Sequence, residues 1–493
     1  AIYLSNFSCG PDSFLLTFFK DIMGQKPCLQ LELDEHSADA GVITRLEAFF
    51  ESLKHYRSMG VSPMSCDRDT QPAGWQSPQV DEKRRTLYIP YMGDQAHGVA
   101  ACFRAYGQAA EVLPIADEAA LMEGRRFTTG KECLPCAITA GDMLKLLQDK
   151  NGKSNEVAFF MPGSIGPCRF GMYSCLHRQI LREAGYDDVP IMSPNQDVNF
   201  YEELTRIFGN VSPFNGFSKH AWVATVGIDL MRKLIIRIRP YAVDAKHAQA
   251  VYDEALAKWL KEIEQRGSIF QMRRVMHEIA GMFSKIETNK MAAKPTIGIV
   301  GEIYVRSHEF ANQNIIEKLE SLGAACDLAS LAEWIYYTNI CRRDLMFRKR
   351  WFKELLRNQV ENFFQKKIEK ILALPLEKKF GTLAEKPVEQ TIDLAAPYIH
   401  HSFEGEAVLS IGKIIEFYHQ GVGGVINVMP FTCMPSTIVS TQTMRLSADC
   451  GNMPILNISF DGQSDPTLPT RLEAFVEQVR QRQGAQPVSQ HVS

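Results

Sequence analysis

The sequence predicts an α/β protein: two parallel-sheet domains with helical insertions, plus the tail of a preceding repeated unit. Three observations predict it. Short alternating apolar runs bounded by Gly and Pro take turns with runs of 3.6-residue periodicity, the pattern of strands and helices in a parallel sheet. From about 199 to 292 the strand-like runs stop and the pattern turns helical. The hexamer TRLEAF stands at Thr44–Phe49 and again at Thr470–Phe475, and both copies follow a Cys-X-Pro start, a helix-like run, a Pro and an alternating apolar strand. Cys9 precedes the first hexamer by 35 residues and Cys433 the second by 37, so the two segments read as copies of one unit.

In chain order, residues 1–55 read as strand, turn, helix, strand, loop, helix, the carboxyl-terminal tail of an α/β unit that repeats 425–480. The opening strand resembles the last strand of a unit, so the chain is expected to be a fragment of something longer. Residues 56–83 are polar and carry Pro and Gly, as a linker does. The first α/β domain spans 84–200, with strands at TLYIPYM, AEVLPI, EVAFFMP and VPIMSP. Its helices are HGVAACFRAYG (closed by Gly107), AITAGDMLKLLQDK and the run that GPCRFGMYSCLHRQILREAGY turns into. Residues 201–293 are mostly helical, with amphipathic AVYDEALAKWLKEIEQRG and RRVMHEIAGMFSKIE.

The second α/β domain spans 294–482. PTIGIVGEIYV is its first strand, NQNIIEKLESLG a helix stopped at Gly323, and 330–373 a helical insert. GEAVLSIGKIIEFYHQG, MPSTIVSTQTMRL and TRLEAFVEQVRQRQ read as helices, GGVINVMPF and PILNIS as strands. Residues 483–493 are expected to be a disordered tail. In each hexamer the Thr is expected to cap a helix, with Glu three residues later completing a capping box. The rival reading has Arg45 and Arg471 hold a ligand, such as a phosphate of coenzyme A.

A chain of 493 residues allows two or three domains, and 45% hydrophobic with 23% charged residues is ordinary globular composition. A net charge of -3 gives no reason to expect nucleic acid. No apolar run reaches the length of a membrane span, and the opening AIYLSNFSCG has no basic start or long apolar core, so a cytoplasmic protein is expected. Twelve cysteines without an export signal argue against a disulfide framework. Cys28, Cys102, Cys326 and Cys341 lie in apolar or helical runs and read as small buried hydrophobes.

Sites in parallel sheets gather beyond the carboxyl ends of strands. Cys133 in TTGKECLPC, Cys168 in MPGSIGPCRFG and Cys433 in VINVMPFTCMP stand there, each beside Pro at the start of a helix. A helix N-terminus favours thiolate over thiol, and thiolates are the ligands of soft metals and iron–sulfur clusters. Three readings stay open. Scattered thiolates, one from the far domain, would hold an iron–sulfur cluster; Cys133, Cys136, Cys168 and Cys175 would hold zinc, although Cys168 to Cys175 is a loose spacing; or there is no metal.

Other features point less sharply. GVGG at Gly421–Gly424 precedes a strand and reads as a helix stop, and no P-loop occurs. His400, His401, Glu404 and Glu406 could bind metal or move protons but read first as an exposed polar loop. Asp34–Gly41 reads as a loop or a strand-end site. Between Arg342 and Lys370 ten Lys/Arg stand against four Asp/Glu, a solvated helix face or a dock for an acidic partner or phosphorylated cofactor.

CGPDSF, AGVITRLEAF, GKECLP, MPGSIGPCRFGMY, VGEIYVR and MPFTCMP together resemble the carboxyl-terminal part of the large activase-linked proteins of the 2-hydroxyacyl-CoA dehydratase and benzoyl-CoA reductase superfamily, over nearly the whole chain. GPCRFG and PFTCMP in this order are the specific elements. The resemblance implies Rossmann-like domains holding an iron–sulfur cluster between them. Cys133, Cys168 and Cys433 match this half's cluster motifs, and Cys9 the equivalent position of a preceding half, with Cys136 and Cys175 as reserve ligands. It implies a 4Fe–4S cluster, or a double-cubane form in a full-length assembly. An ATP-hydrolysing activator would inject electrons for one-electron reduction of an acyl-CoA or small molecule in the cytoplasm of an anaerobe. A dimer is the expected assembly, without nucleic acid or membrane. The alternative is a non-catalytic scaffold or zinc-binding module that docks an ATPase partner.

Overall fold

The computed structural model describes residues 1–6, 9–34, 37–59, 85–150, 153–164, 166, 168–194, 216–289 and 294–485. The chain is α/β, and its sheets are parallel. One four-stranded sheet has the order β4-β3-β5-β6, built from β3 (Thr86–Ile89), β4 (Ala110–Val112), β5 (Val157–Phe160) and β6 (Ile191–Met192). The other has the order β10-β9-β7-β8, built from β7 (Thr296–Gly301), β8 (Ala325–Leu328), β9 (Gly424–Pro430) and β10 (Ile455–Phe460). A two-stranded sheet joins β1 (Ile2–Asn6) to β2 (Leu29–Leu33) in parallel register, Ile2 opposite Leu29.

Both four-stranded sheets reverse their winding once. From β3 the chain passes to β4 on one side and later to β5 on the other; from β7 it passes to β8 and later to β9. A crevice opens at such a reversal, beyond the carboxyl ends of the two central strands, because the flanking connections leave to opposite faces.

The segment between the sheets supplies the core that joins them. Helix Phe217–Ile238 buries Trp222, Val226, Met231 and Leu234, and Gly227 lets the Trp259 indole lie against its backbone, where a Cβ would come within 2.2 Å of the ring. Helices Ala245–Glu264 and Ile269–Phe283 pack on it, and one continuous apolar cluster runs from Leu87 and Ile89 through Trp259 to Ile297 and Val425. A smaller cluster on the other face of the first sheet takes in Phe14 from the N-terminal unit, whose ring stacks on Tyr173 at 6.0 Å.

The N-terminal unit runs β1, helix Gly10–Met23, β2, helix Asp39–Ser58, the order in which β9, helix Met434–Asp449, β10 and helix Leu468–Ala485 follow one another in the second copy. The hexamer is helical in both, but its Thr does not cap. Thr44 lies inside a helix that begins at Asp39, with Oγ1 donating to the Ala40 carbonyl, and Thr470 lies within a helix that begins at Leu468. Asp39 and Pro469 are good first-turn residues and extend each helix ahead of the hexamer. The Glu302–Val305 end of the expected strand PTIGIVGEIYV, 295–305, is helical from Ile303, because Glu302 caps that turn by accepting from the Tyr304 and Val305 amides at 3.0 and 2.8 Å. Helix Glu118–Arg126 and strand β8 are further elements that the periodicity did not single out. Cys28 is exposed, not buried, since it stands between the end of a helix and an edge strand; Cys102 and Cys326 are buried and Cys341 is half-buried. Residues 60–84, with most of the expected linker and Cys66, lie outside the described residues, as do 195–215 and 486–493.

Candidate functional site

The two crevices face each other. A cavity of about 230 Å³ lies between them, lined by Ile89 and Pro90 at the end of β3, Pro162 and Ser164 after β5, Glu302 after β7 and Pro430 at the end of β9. Cys133, Cys168 and Cys433 line this one cavity, from three separate turns and both sheets.

Each thiol is aimed by the start of a helix. Cys133 and Cys433 are the N-cap residues of helices Leu134–Asp149 and Met434–Asp449, both with Pro in the first turn. Proline suits that turn, having no N–H to leave unpaired. Cys168 stands ahead of the short turn Arg169–Met172 that leads into helix Tyr173–Glu183. None of the three side chains makes a cap hydrogen bond to its own helix, although the Phe170 and Ser436 amides lie near enough to Cys168 and Cys433 to favour their thiolates slightly. Two glycines fix where the Cys133 helix lies. A Cβ on Gly124 would meet the Ala137 carbonyl oxygen at 1.8 Å, and one on Gly141 the Ala120 carbonyl oxygen at 1.7 Å, so helices 118–126 and 134–149 cross backbone to backbone.

Cys133 and Cys433 are buried and Cys168 is half-buried. Burial pushes Cys433 up to about 12, with the Glu406 and Glu302 carboxylates adding to the shift and hydrogen bonding to Ser436 opposing it. Burial raises Cys168 well above the ordinary thiol range, and then Glu406, Cys133 and Cys433 raise it further. Burial also raises Cys133, against the pull of Arg169 and a contact with the Tyr173 hydroxyl at 2.5 Å. Among the described residues no cation outweighs burial at these three sulfurs, so the neutral thiol is favoured over the thiolate.

Arg169 ties the three turns together. Its guanidinium donates to Ser13 Oγ at 2.9 Å, the Lys131 carbonyl at 2.9 Å, and the Thr432 carbonyl and hydroxyl at 3.0 and 2.9 Å. These partners belong to the N-terminal unit, the approach to Cys133 and the approach to Cys433. Five donors in one plane let a single side chain make this junction.

Glu302 and Glu406 complete the floor. Gly301, at φ +113°, brings β7 so close to β9 that a Cβ would stand 2.0 Å from the Val428 carbonyl oxygen; only glycine fits there. Glu406 Oε1 accepts from the Ile303 amide at 3.1 Å, while its Oε2 is buried with no hydrogen-bond partner among the described residues. Burial, and then the neighbouring Glu302, push the Glu406 carboxyl up to about 8.

The remaining sequence candidates stand elsewhere. Cys9 is half-buried ahead of helix Gly10–Met23, near Asp12 and Arg169, and is not among the cavity-lining residues. Cys136 faces His177 inside the smaller core, Sγ to Nε2 3.8 Å, and Cys175 is half-buried on helix Tyr173–Glu183; neither lines the cavity. Among the described residues no three His, Cys, Asp or Glu stand close enough to hold a single metal ion. His401 pairs with Asp344 at 3.2 Å and His400 is exposed, so of that polar loop only Glu406 turns into the cavity with its helix, beside Gly405. Arg471 bonds the Asn457 carbonyl and Asp465, and Arg45 is exposed; neither lines the cavity. Arg169 and Glu302 carried no role in the sequence reading, although both lie inside quoted motifs: a lone charged residue after a strand has no signal until its partners are placed.

Among the described residues no helix is long and apolar enough to cross a membrane. No protein-family model matches the chain, and a search of curated proteins finds no match.

Proposed function

We propose that the chain is the iron–sulfur component of a low-potential reducing system of the 2-hydroxyacyl-CoA dehydratase type, with two Rossmann-like domains enclosing the cluster site. Electrons would come from an ATP-hydrolysing activator and pass, one at a time, to an acyl-CoA or small-molecule substrate. The observation that carries this reading is the single cavity at two facing crevices into which Cys133, Cys168 and Cys433 project. The donor chemistry fits: three sulfurs lining one largely apolar cavity suit a polynuclear group whose ligands bind different metal atoms and so stand apart.

A bound cluster would supply reversible one-electron chemistry. The chain's own residues do the rest. The three thiols lose their protons and hold the group. Arg169 keeps their turns in register. The apolar lining, with Phe160, Phe170, Trp334 and Met434, excludes water and strengthens every charge interaction inside.

Anaerobic purification followed by metal analysis tests the reading. Iron and acid-labile sulfide are expected, with broad visible absorption. Cys133→Ala, Cys168→Ala and Cys433→Ala should each lower iron content sharply, whereas Cys102→Ala and Cys326→Ala should leave it intact. A colourless protein fully loaded with zinc would overturn the proposal, as would five variants that behave alike.

A further inference from the structure

We propose that Glu406 is the fourth ligand of the metal group, an oxygen donor beside the three thiolates; this rests on the cluster reading above. Three sulfurs leave one corner of a four-iron cluster without a protein thiolate from the lining. Two carboxylates border the same cavity, and the structure separates them. Glu302 spends both oxygens on the amides of Tyr304 and Val305. Glu406 spends Oε1 on the Ile303 amide at 3.1 Å, which fixes the carboxylate, and leaves Oε2 buried without a partner. A buried carboxylate oxygen left unpaired is costly, and an absent ion is one of the ordinary explanations for it.

The position of Glu406 agrees with that role. Glu406 opens helix Glu406–His419, next to Gly405 at φ +82°, and both residues line the cavity. Glu406 shares that lining with Cys168 from the first sheet and Cys433 from the second. On binding, the carboxyl releases its proton to solvent as an iron–oxygen bond forms. No electron changes hands in that step. An iron held by oxygen is the one most readily lost, since carboxylate is a harder and weaker partner than thiolate in such a cluster.

The test loads the full chain anaerobically with iron-57 and sulfide and compares it with Glu406→Gln, Glu406→Ala and Glu406→Cys. Glu406→Gln keeps an oxygen for the Ile303 amide and so guards against loss of fold, which circular dichroism checks. In the wild type, Mössbauer spectra should show one iron in four with the larger isomer shift of oxygen coordination. Glu406→Cys should make that iron resemble the other three. One-electron oxidation with ferricyanide, releasing one ferrous ion and leaving a three-iron cluster detected by paramagnetic resonance, should be at least tenfold faster in Glu406→Ala and Glu406→Gln and slower in Glu406→Cys. If the wild type assembles a four-iron cluster whose spectrum and oxidation rate are the same in all three variants, the ligand assignment is wrong and the cluster reading stands. If the wild type takes up no iron and sulfide, both fall.

Discussion

Asp142 sits midway along the helix that begins after Cys133, and its Oδ2 is buried with no partner among the described residues. Burial, and then repulsion from Asp117, push its carboxyl from an ordinary 3.8 up to about 8. The folded chain therefore holds this proton over a range where the unfolded chain has lost it. A raised carboxyl destabilises as pH climbs: the cost is nil below about 3.8, grows through neutrality and levels off above about 8. Asp142→Asn should then leave stability nearly unchanged at pH 4 and raise it at pH 7, by at most about 4 kcal/mol at 1.36 kcal/mol per unit. Urea unfolding at the two pH values measures the difference; an equal effect at both would show that Asp142 titrates normally. Nothing in the sequence marked this residue, because AITAGDMLKLLQDK is a helix of ordinary periodicity and its mid-helix Asp becomes unusual only when the Glu118–Arg126 helix lies across it. The cysteines were more legible. Their Pro-flanked turns are local features, and the three so marked line one cavity, whereas Cys28 was misread because exposure depends on what packs over a strand edge.

Elements were read well where periodicity is long and poorly where capping decides. Helices Glu406–His419 and Met434–Asp449 stand where their apolar pattern puts them, and Gly421, at φ +79°, follows the first as its stop. The TRLEAF helices begin earlier than the Thr suggests, so Thr44 is an exposed mid-helix residue. Thr44→Ala should change stability by no more than about 0.5 kcal/mol, in the stabilising direction given the helix propensities, instead of costing the loss of a cap. Gly141→Ala is the contrasting change on the Cys133 helix. Its Cβ would sit 1.7 Å from a backbone oxygen, so two helices must part. Thermal unfolding should show a loss of about 2 kcal/mol or more, and iron content should fall with it as Cys133 shifts. A Gly141→Ala protein of unchanged stability would mean that the helix crossing is looser than the structure has it.

At the scale of the molecule, the helical segment 217–283 is no cap on the outside. It is the shared core that holds one crevice opposite the other. Arg169 adds the N-terminal unit to this body, through Ser13 and a cation–π contact with Phe14 at 6.0 Å. Arg169→Met keeps the length of the side chain and removes all four of its hydrogen bonds. Hydrogen exchange should quicken in helix Gly10–Met23 and around Cys133 and Thr432, while β7 keeps its protection. Uniform acceleration across both sheets would point to global destabilisation instead, and unchanged exchange in Gly10–Met23 would remove Arg169 as the junction.

The sequence by itself determined what depends on neighbours along the chain: the alternation that makes parallel sheets, the internal repeat, the Pro-led helix starts, and the cysteines at those starts. Strand and helix periods, turn residues and first-turn prolines all act within a few residues, so they can be read from one string. Only the tertiary structure decided that two winding reversals face one another, that Glu406 and not His400 or His401 enters the cavity, that Cys136 turns away to His177, and that Arg169 spans three segments. Those outcomes rest on burial and on pairs as far apart as Arg169 and Thr432, 263 positions along the chain. Long-range packing sets a buried group's surroundings, and a carboxylate or thiol has no distinctive chemistry until those surroundings exist.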